Sequence, residues 1–413
     1  MIEYEKFTLE NGLRCIIHRD ESTPLATVNV MYDVGSKDET YERTGFAHLF
    51  EHLMFEGSVN IPNYDRPLEK VGGDNNAFTS TDITNYYLVL PANNIETAFW
   101  LESDRMLSLA FDPESLEVQR DVVVEEFKQT HLNRPYGDVM LNLRPLAYKE
   151  HSYQWPTIGR KPEHIEEASM EEVKSFFEAH YNPNNAILSV AGNVNTDEVK
   201  KLIEKWFGPI ENRGKNERNL TKEPEQTEKR TYTLEGNVPY DAIWMGFHMP
   251  SRRSNEYYPV DLISDILSRG ESSRFNNRLM KEQELFADVE AYVTGEVEEG
   301  LFMVEGKLKE GVSFEKAEEA IRKEIDEILE GNVEQKELNK VKNQVKSTLT
   351  MSETKVLPKA LNLAFHELID DADNINHEME RYDDVSLDMI REKAAQYLGE
   401  EKSSVLYYKA KRN

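Results

Sequence analysis

Residues 48–52 read His-Leu-Phe-Glu-His, and this run constrains the fold and the chemistry of the chain more than any other feature. In a helix, His48 and His52 lie one turn apart and project from the same face. Two imidazoles in that relation can bind one zinc ion, and Glu51 projects near the same face, where it can reach a water on the metal. The alternative interpretation is a pair of core histidines whose ring nitrogens are satisfied by backbone carbonyls.

The residues around this run favour a helix. Thr44 is the predicted N-cap residue, and Gly57-Ser58 is the predicted stop. Five residues supply an apolar face: Phe46, Leu49, Phe50, Leu53 and Met54. We therefore expect an amphipathic helix that carries both histidines.

A zinc hydrolase needs a third protein ligand from another element and an open fourth position for water. Residues 113–130 are predicted to form a helix, because Pro113 stands at the first turn and acidic residues follow near the N-terminus. Glu125 and Glu126 are adjacent inside this helix, and adjacent helical residues point about 100° apart. Only one of them can face the metal, and the spacing alone does not choose between them.

Composition and charge exclude several classes of function. The chain has 413 residues and a formal net charge of −28, which argues against a nucleic-acid partner and against an anionic membrane surface. The acidic balance permits a preference for basic peptides, although acidic residues also simply maintain solubility. The single cysteine, Cys15, lies in an apolar run and can form no intrachain disulfide.

Targeting and membrane signals are not visible in the sequence. No apolar run approaches the roughly 18 residues that a transmembrane helix needs. The first residues are acidic and lack the apolar segment of a secretory signal. We therefore expect a cytoplasmic protein, or a periplasmic one if a leader has been removed.

The chain falls into two halves with the same order of elements. Residues 207–228 are polar and charged, which predicts a linker between a first domain at 1–206 and a second at 229–413. Strands followed by helices within each half predict an α+β fold of two homologous domains, each a mostly antiparallel sheet with helices packed on one side. In the second half, YPVDLISDILSRG (258–270) occupies the place of the His-x-x-Glu-His run, so we expect one metal site per chain.

The predicted elements can be placed along both halves. We predict strands at 4–9, 13–18, 26–34, 76–82, 84–91 and 186–192, and then at 230–236, 242–249, 286–295, 300–308 and 403–410. Helices are predicted at 195–206, at 257–268, as a short segment at 273–283 and as long segments within 314–398.

Segments along nearly the whole chain match one known pattern. They are 9–39, GFAHLFEHLMFEGS (45–58), GGDNNAFTSTDITNYYLVLP (72–91), RDVVVEEF (120–127), NRPYGD (133–138), IGRKPEHIEEAS (158–169) and YNPNNAILSVAGNV (181–194). Through them the chain resembles the pitrilysin/insulinase-type zinc peptidases, the inverzincins of family M16, in which the His-Glu-x-x-His motif is reversed. It is most similar to short bacterial members that resemble mitochondrial processing peptidase.

The resemblance implies a zinc metalloendopeptidase that hydrolyses unfolded peptides. It implies one Zn²⁺ bound by His48, His52 and Glu126, with Glu51 as the general base. Family members usually carry a further glutamate seven residues before the ligand glutamate, and here that residue is Gln119. Glutamine can hydrogen-bond a metal ligand but holds no charge, so support of the metal site is expected to be weaker or to be supplied differently.

The resemblance also implies a substrate-binding edge. In the family, a peptide adds as an extra strand beside the metal, and the corresponding residues here are Asn76, Ala77, Phe78 and Thr79. The alternative is that this segment is an ordinary edge strand held by turns.

One departure from the family lies in the second half. Family members that act alone usually carry an Arg and a Tyr, seven residues apart, that support the substrate carbonyl and the oxyanion. Met280 and Ala287 occupy these positions here, and neither side chain can donate a hydrogen bond. Arg274 and Arg278 lie nearby without a matching tyrosine, and Tyr292 is an alternative donor.

This departure determines which partner subunit we expect. The chain resembles the zinc-bearing subunit of a heterodimer in which a homologous subunit carries the Arg/Tyr pair. The alternatives are a homodimeric peptidase that is complete in itself, and a non-proteolytic structural or assembly member of the same fold.

Overall fold

The structure is a computed structural model that describes residues 1–214 and 218–412. Its strands are β1 (Glu5–Thr8), β2 (Arg14–Arg19), β3 (Leu25–Tyr32), β4 (Asp74–Thr79), β5 (Thr84–Pro91), β6 (Ala186–Gly192), β7 (Arg230–Gly236), β8 (Ala242–His248), β9 (Phe286–Val293), β10 (Leu301–Leu308) and β11 (Ser403–Ala410).

Its α-helices are α1 (Phe46–Leu53), α2 (Asp65–Lys70), α3 (Ile95–Leu107), α4 (Pro113–Phe127), α5 (Val139–Ala147), α6 (Glu163–Glu166), α7 (Met170–His180), α8 (Thr196–Phe207), α9 (Tyr257–Ser268), α10 (Phe314–Leu329), α11 (Gln335–Ser352), α12 (Val356–Ile369), α13 (Asn374–Asp383) and α14 (Leu387–Tyr397). Two segments are π-helical, Lys128–Leu132 and Phe275–Glu282. The second of these replaces the short helix predicted at 273–283.

The described residues form two compact units. The first contains Met1–Lys128, Trp155–Leu220 and Thr350–His377, and the second contains Gln129–Gln154, Thr221–Leu349 and Glu378–Asn413. The units therefore interleave along the chain instead of following the predicted bounds of 1–206 and 229–413. The physical reason is that helices from each half of the sequence pack against the sheet of the other.

The first unit contains a six-stranded sheet with the order β1-β2-β6-β3-β5-β4. Only β2 and β6 run parallel, and every other neighbouring pair is antiparallel. Strand β4 pairs with β5 alone, so its other side is an open edge of the sheet. The central strand β6 is buried along its whole length.

The second unit repeats this topology. Its sheet has the order β7-β11-β8-β10-β9, and only β7 and β11 run parallel. Strand for strand, this matches β2-β6-β3-β5-β4 in the first unit. Helix α9 follows β8, the counterpart of β3, as α1 follows β3 in the first unit. The predicted α+β class with duplicated, mostly antiparallel sheets is therefore confirmed.

Each sheet also receives a helix on its second face. In the first unit, α12 packs on β3 and β6, where Ala191 contacts Val356 and Ala360. In the second unit, α5 packs on β7, β8 and β11. Because both faces are covered, the central strands have apolar residues at consecutive positions.

The segment between Phe207 and Glu228 was predicted to be a linker. Its described residues form no helix or strand after α8 ends at Phe207. Residues 215–217 of that prediction lie outside the described part of the chain. Within the described ranges, no helix is both long enough and apolar enough to cross a bilayer.

Candidate metal centre

Helix α1 begins at a glycine, and a distant carboxylate caps it. Gly45 is the N-cap residue and has φ 90°, a conformation that glycine adopts without strain. Both carboxylate oxygens of Glu39 accept backbone hydrogen bonds at 2.9 Å, one from Gly45 and one from Ala47. The prediction that Thr44 caps this helix is therefore wrong.

The side chain of Thr44 is engaged elsewhere. Its hydroxyl lies 2.8 Å from Nδ1 of His164 and accepts a hydrogen bond from the backbone N–H of Arg160 at 2.9 Å. Thr44 thus ties the start of the metal helix to the 159–164 segment. The helix N-terminus is left to Glu39, whose carboxylate, when ionised, also suits the positive end of the helix dipole.

Burial raises the pKa of Glu39 to about 8, although the N–H groups of Ala47 and Gly45 oppose this by favouring the ionised form. The protonation state of this cap therefore changes near neutral pH.

One face of α1 is anchored in the core, as the sequence predicted. Phe46, Leu49, Phe50 and Leu53 are buried, and the ring of Phe50 stacks on Phe176 with centroids 5.1 Å apart. The hydroxyl of Tyr86 donates to the carbonyl of Phe50 at 3.3 Å. This anchoring fixes the rotation of the helix about its axis and directs His48 and His52 to the opposite face.

Helix α4 starts with the predicted proline and is capped by Asp112, whose carboxylate accepts from the backbone N–H of Ser115. It ends at Phe127, three residues earlier than predicted, and continues as the π-helical segment Lys128–Leu132. Val123, Val124 and Phe127 are buried, so the rotation of α4 is fixed by its packing. As a result, Glu125 points to solvent and Glu126 is only partly exposed.

The structure brings His48, His52 and Glu126 together. Nε2 of His48 lies 3.8 Å from one carboxylate oxygen of Glu126, and Nε2 of His52 lies 3.6 Å from the other. The two imidazole rings are 4.9 Å apart and nearly perpendicular. Within the described residues this is the one group of three potential ligand side chains whose donor atoms lie within 4.8 Å of one another.

This donor set fits zinc. Two nitrogens and a carboxylate oxygen at about 2.0–2.2 Å from a tetrahedral zinc would be roughly 3.4 Å from each other. The nitrogen-to-oxygen separations in the structure exceed that value by only a few tenths of an ångström. Three protein ligands leave the fourth position for water or substrate.

The two histidines have different electrostatic environments. Burial lowers the pKa of His48, which favours the neutral form that binds a metal. Burial also acts to lower the pKa of His52, but the hydrogen bond and the charge of Glu126, followed by Glu51 and Gln119, raise it overall. Glu126 therefore interacts with both imidazoles, as a shared third ligand would.

Glu51 lies on α1 beside the histidines, and a residue of the sheet holds its carboxylate by a hydrogen bond. Its Oε2 accepts a hydrogen bond from the hydroxyl of Thr79, the last residue of β4, at 2.6 Å. Glu51 is absent from the group of three convergent donors, which agrees with a role other than ligand.

Gln119 lies where the sequence predicted support for the metal ligands. Its amide nitrogen donates to the carboxylate of Glu56. Glu56 was not predicted as part of the site.

The predicted substrate edge is an edge strand in the structure. Asn76 and Phe78 point to one side of β4 and are exposed, and Ala77 and Thr79 point to the other side and are partly buried. Helix α1 packs against this strand, so the unpaired edge runs beside the metal helix.

The two positions at which family members usually carry the Arg/Tyr pair lie in the second unit. Met280 is partly buried against the core of this unit, and Ala287 is exposed on the edge strand β9. Tyr292 is partly buried on the same strand, and burial, followed by the charge of Glu305, raises its pKa.

Both nearby arginines are engaged within the second unit. Arg274 is buried and bonds the carboxylate of Glu337 at 2.8 Å. Arg278 donates to Glu324 at 2.7 Å. Both guanidinium groups are therefore held in ion pairs.

The chain is a duplicated α+β protein whose two sheets share one strand order. Two histidines of a reversed motif on α1 and a glutamate on α4 converge as potential metal ligands. The family model "Insulinase (Peptidase family M16)" matches residues 14–160, and the model "Peptidase M16 inactive domain" matches residues 167–345. Together these matches span well over half of the chain. The chain belongs to peptidase family M16.

Similar proteins carry related names. The zinc protease PqqE of Helicobacter pylori is 29% identical over 346 residues, which cover 82% of this chain and 78% of that protein. A probable mitochondrial-processing peptidase subunit beta of Schizosaccharomyces pombe is 31% identical over 210 residues, covering 50% of this chain and 45% of that protein. The crystal structure of a protease from Helicobacter pylori aligns with a TM-score of 0.93 and 26% identity, over 99% of this chain and 100% of that one.

Sequence reasoning missed two residues near the site: Glu39, which caps α1, and Glu56, which accepts a hydrogen bond from Gln119. Glu39 lies six residues before Gly45, the N-cap residue of the helix, a distance that no capping pattern covers. Glu56 follows His52 by four residues, which is a helical spacing, and this was the available signal.

Proposed function

We propose that this chain is a zinc-dependent metalloendopeptidase that hydrolyses unfolded peptides. The observation that carries the proposal is the convergence of His48, His52 and Glu126 beside a glutamate, Glu51, that is itself held in place by a hydrogen bond. The names of the M16 relatives support the same activity.

His48, His52 and Glu126 would hold the metal. Zinc bound there would polarise the scissile carbonyl and lower the pKa of the attacking water towards about 7. The neutral form of His48, favoured by its burial, is the form required for binding.

Glu51 acts as the general base and then as the general acid. Its Oε1 takes a proton from the attacking water while Thr79 holds Oε2. The same carboxyl then delivers the proton to the leaving amine as the peptide bond breaks. The hydrogen bond from Thr79 restricts the carboxylate to one orientation, which reduces the entropy cost of each transfer.

The peptide substrate binds as an added strand along the outer side of β4. Alternate residues of β4 bond to β5, counting back from the Ser80–Ile83 pair, so the backbone groups of Ala77 and Thr79 face the open side and provide donors and acceptors. Pairing of this kind reads backbone more than side chains. A peptide must be extended to pair in this way, so the substrates are unfolded segments.

The chain acts as the zinc-bearing subunit of a two-subunit peptidase. Met280 and Ala287 can donate no hydrogen bond to an oxyanion, and Arg274 and Arg278 are held in ion pairs. One of the relatives is named as a beta subunit, which supports a divided assembly. A homodimer in which Tyr292 supplies the donor is the alternative arrangement.

The experiment combines metal analysis with a Glu51→Gln variant. The purified wild type should hold about one zinc per chain, and the variant should hold as much zinc with the same melting temperature. Peptide hydrolysis, measured with any homologous partner present, should fall by at least about 10²-fold in the variant. Near-wild-type hydrolysis by Glu51→Gln would remove Glu51 from this role, and a zinc-free wild type would refute the metallopeptidase proposal.

A further inference from the structure

We propose that the second unit keeps a cation site at the position that corresponds to the metal group of the first, and that the guanidinium of Arg269 is its resident cation. The other residues of this site are Asp261, Asp265 and Thr348. All four belong to the second unit, so the site goes beyond the proposed function and stands whether or not the chain hydrolyses peptides.

Helix α9 is the counterpart of α1, and the buried faces of the two helices define the register between them. Three buried apolar residues recur with the same spacing: Leu49, Phe50 and Leu53 in α1, and Leu262, Ile263 and Ile266 in α9. A glycine with positive φ follows at the same distance in each case, Gly57 after α1 and Gly270 after α9. In this register Asp261 and Asp265 replace the two histidines.

Helix α11 is the counterpart of α4, because each is the second α-helix after the strand that pairs with an open edge strand. Three apolar residues with the same spacing pack towards the core in both: Leu116, Val123 and Phe127 in α4, and Leu338, Val345 and Leu349 in α11. In this register Thr348 replaces Glu126. The counterparts of the three potential metal ligands are therefore two carboxylates and a hydroxyl, which are all oxygen donors to a cation.

The guanidinium of Arg269 lies between two of these three counterparts. Its Nη1 donates to Oδ2 of Asp265 at 2.7 Å, and its Nη2 donates to Oγ1 of Thr348 at 2.7 Å. Thr348 donates its own hydroxyl hydrogen to the carbonyl of Gln344 at 3.0 Å, which leaves the lone pairs of Oγ1 to the arginine. One positive group thus bonds a residue of α9 to a residue of α11.

The third counterpart, Asp261, lies one turn before Asp265 on the same face of α9. Its Oδ2 accepts a hydrogen bond from the hydroxyl of Tyr382 at 2.6 Å. Burial raises the pKa of Asp261 to about 6 and Asp265 adds to the rise, whereas Tyr382, Arg252 and Arg269 oppose it. Two carboxylates one turn apart repel each other, and a cation between α9 and α11 reduces that repulsion.

An aspartate and an arginine four residues apart also form an ordinary salt bridge along one helix. The bond to Thr348 distinguishes this pair, because it reaches a second helix at the position of a ligand residue. The guanidinium therefore both neutralises carboxylates and links α9 to α11, the two tasks that a metal ion would perform between α1 and α4.

The test removes the guanidinium and offers Ca²⁺ in its place, since Ca²⁺ binds carboxylate and other oxygen ligands. Calcium binding to zinc-free protein would be measured by titration calorimetry for the wild type, Arg269→Ser, Arg269→Gln, Arg269→Lys, and Arg269→Ser with Asp265→Asn. The control is Arg253→Ser, which removes an arginine from an exposed ion pair with Glu298 in the same unit. Melting temperatures in EDTA would show that each variant folds, and Arg269→Gln changes the shape of the side chain less than Arg269→Ser.

We expect Arg269→Ser and Arg269→Gln to bind one more Ca²⁺ per chain than the wild type, with a dissociation constant of about 10⁻⁴–10⁻³ M, the weak end of protein calcium sites. Asp265→Asn should remove this additional binding, because it removes a charged ligand. Arg269→Lys should match the wild type, since it keeps a positive charge in the site. The control Arg253→Ser should also match the wild type, since it leaves the site intact.

Three results would overturn this assignment. They are the absence of additional Ca²⁺ in both Arg269→Ser and Arg269→Gln, its persistence after Asp265→Asn, and an equal gain in the Arg253→Ser control. Zinc content and peptide hydrolysis enter none of these measurements, so a failure of the proposed function would be seen separately.

Discussion

The hydroxyl of Thr79 donates a hydrogen bond to Oε2 of Glu51 at 2.6 Å, linking the end of the edge strand β4 to the proposed general base. The strand proposed to pair with the substrate is therefore the strand that holds the base. Since β4 and α1 also pack on each other, a substrate that pairs with β4 would find the carboxylate already oriented.

Removing this hydroxyl should slow the chemical step. Thr79→Val keeps the shape of the side chain but cannot donate, and a hydrogen bond to a charged group contributes about 1.5–3 kcal/mol. We expect kcat to fall by about tenfold with little change in KM, since the backbone of β4 remains available for pairing. Steady-state kinetics on a fluorogenic peptide would measure both constants.

Thr79→Ser is the matched control, because serine keeps the hydroxyl and should retain most of kcat. A change in KM alone in Thr79→Val would indicate that Thr79 contributes to peptide binding and not to the orientation of Glu51. Equal losses in the valine and serine variants would also contradict the orienting role.

Matched substitutions of Glu126 and Glu125 test which of the two glutamates is the third zinc ligand. Glu126→Gln should lose zinc, because its oxygens lie 3.8 Å and 3.6 Å from the two imidazole nitrogens. Glu125→Gln should keep zinc, because residue 125 points to solvent. Zinc per chain would be determined by elemental analysis after dialysis. Full occupancy in Glu126→Gln would show that the third ligand has been assigned wrongly.

The isolated chain should be a poor peptidase. Losing an oxyanion donor typically costs about 10²–10³ in rate, and the positions of the expected donors are occupied by Met280 and Ala287. A homologous chain that lacks the His-x-x-Glu-His run and carries Arg and Tyr seven apart should restore the rate on mixing. Substituting either residue of that partner should abolish the gain.

One measurement would contradict the prediction that a partner chain supplies the oxyanion donors. If the isolated chain hydrolyses peptides as fast as the mixture, the site is complete without a partner. Tyr292→Phe would then show whether that hydroxyl is the donor.

Glu39 should make stability depend on pH. Its pKa is about 8 in the folded protein, because of burial, against an ordinary value of 4.5. Between these values the folded state binds more protons than the unfolded state, so the contribution of Glu39 to stability declines as pH rises from about 5 to 8. Glu39→Gln removes the titration, so its melting temperature relative to the wild type should increase over this range.

These melting temperatures would be measured in EDTA at several pH values, so that zinc binding does not contribute. The control is Glu125→Gln, which removes one carboxylate from an exposed position. An offset for Glu39→Gln that is constant, or that decreases as pH rises, would contradict the assignment of a raised pKa.

The sequence by itself determined the bounds of several elements and the placement of three candidate site residues on one helix. The bounds of β5, β6, β7, β11 and α9 follow from local patterns of apolar residues and turns, because such patterns reflect short-range geometry. His48, Glu51 and His52 were identifiable because the spacing of four residues within one helix fixes their relative positions before any tertiary contact forms.

Tertiary structure decided which residues of separate elements come into contact. Spacing alone did not choose between Glu125 and Glu126, and burial of Val123, Val124 and Phe127 fixes the rotation of α4 that turns Glu126 towards the histidines. The cap from Glu39 and the interleaving of 350–377 with the first unit depend on contacts between residues distant in sequence. The bond from Thr79 to Glu51 is of the same kind. Their energies arise only when separate elements pack, so no local pattern of residues encodes them.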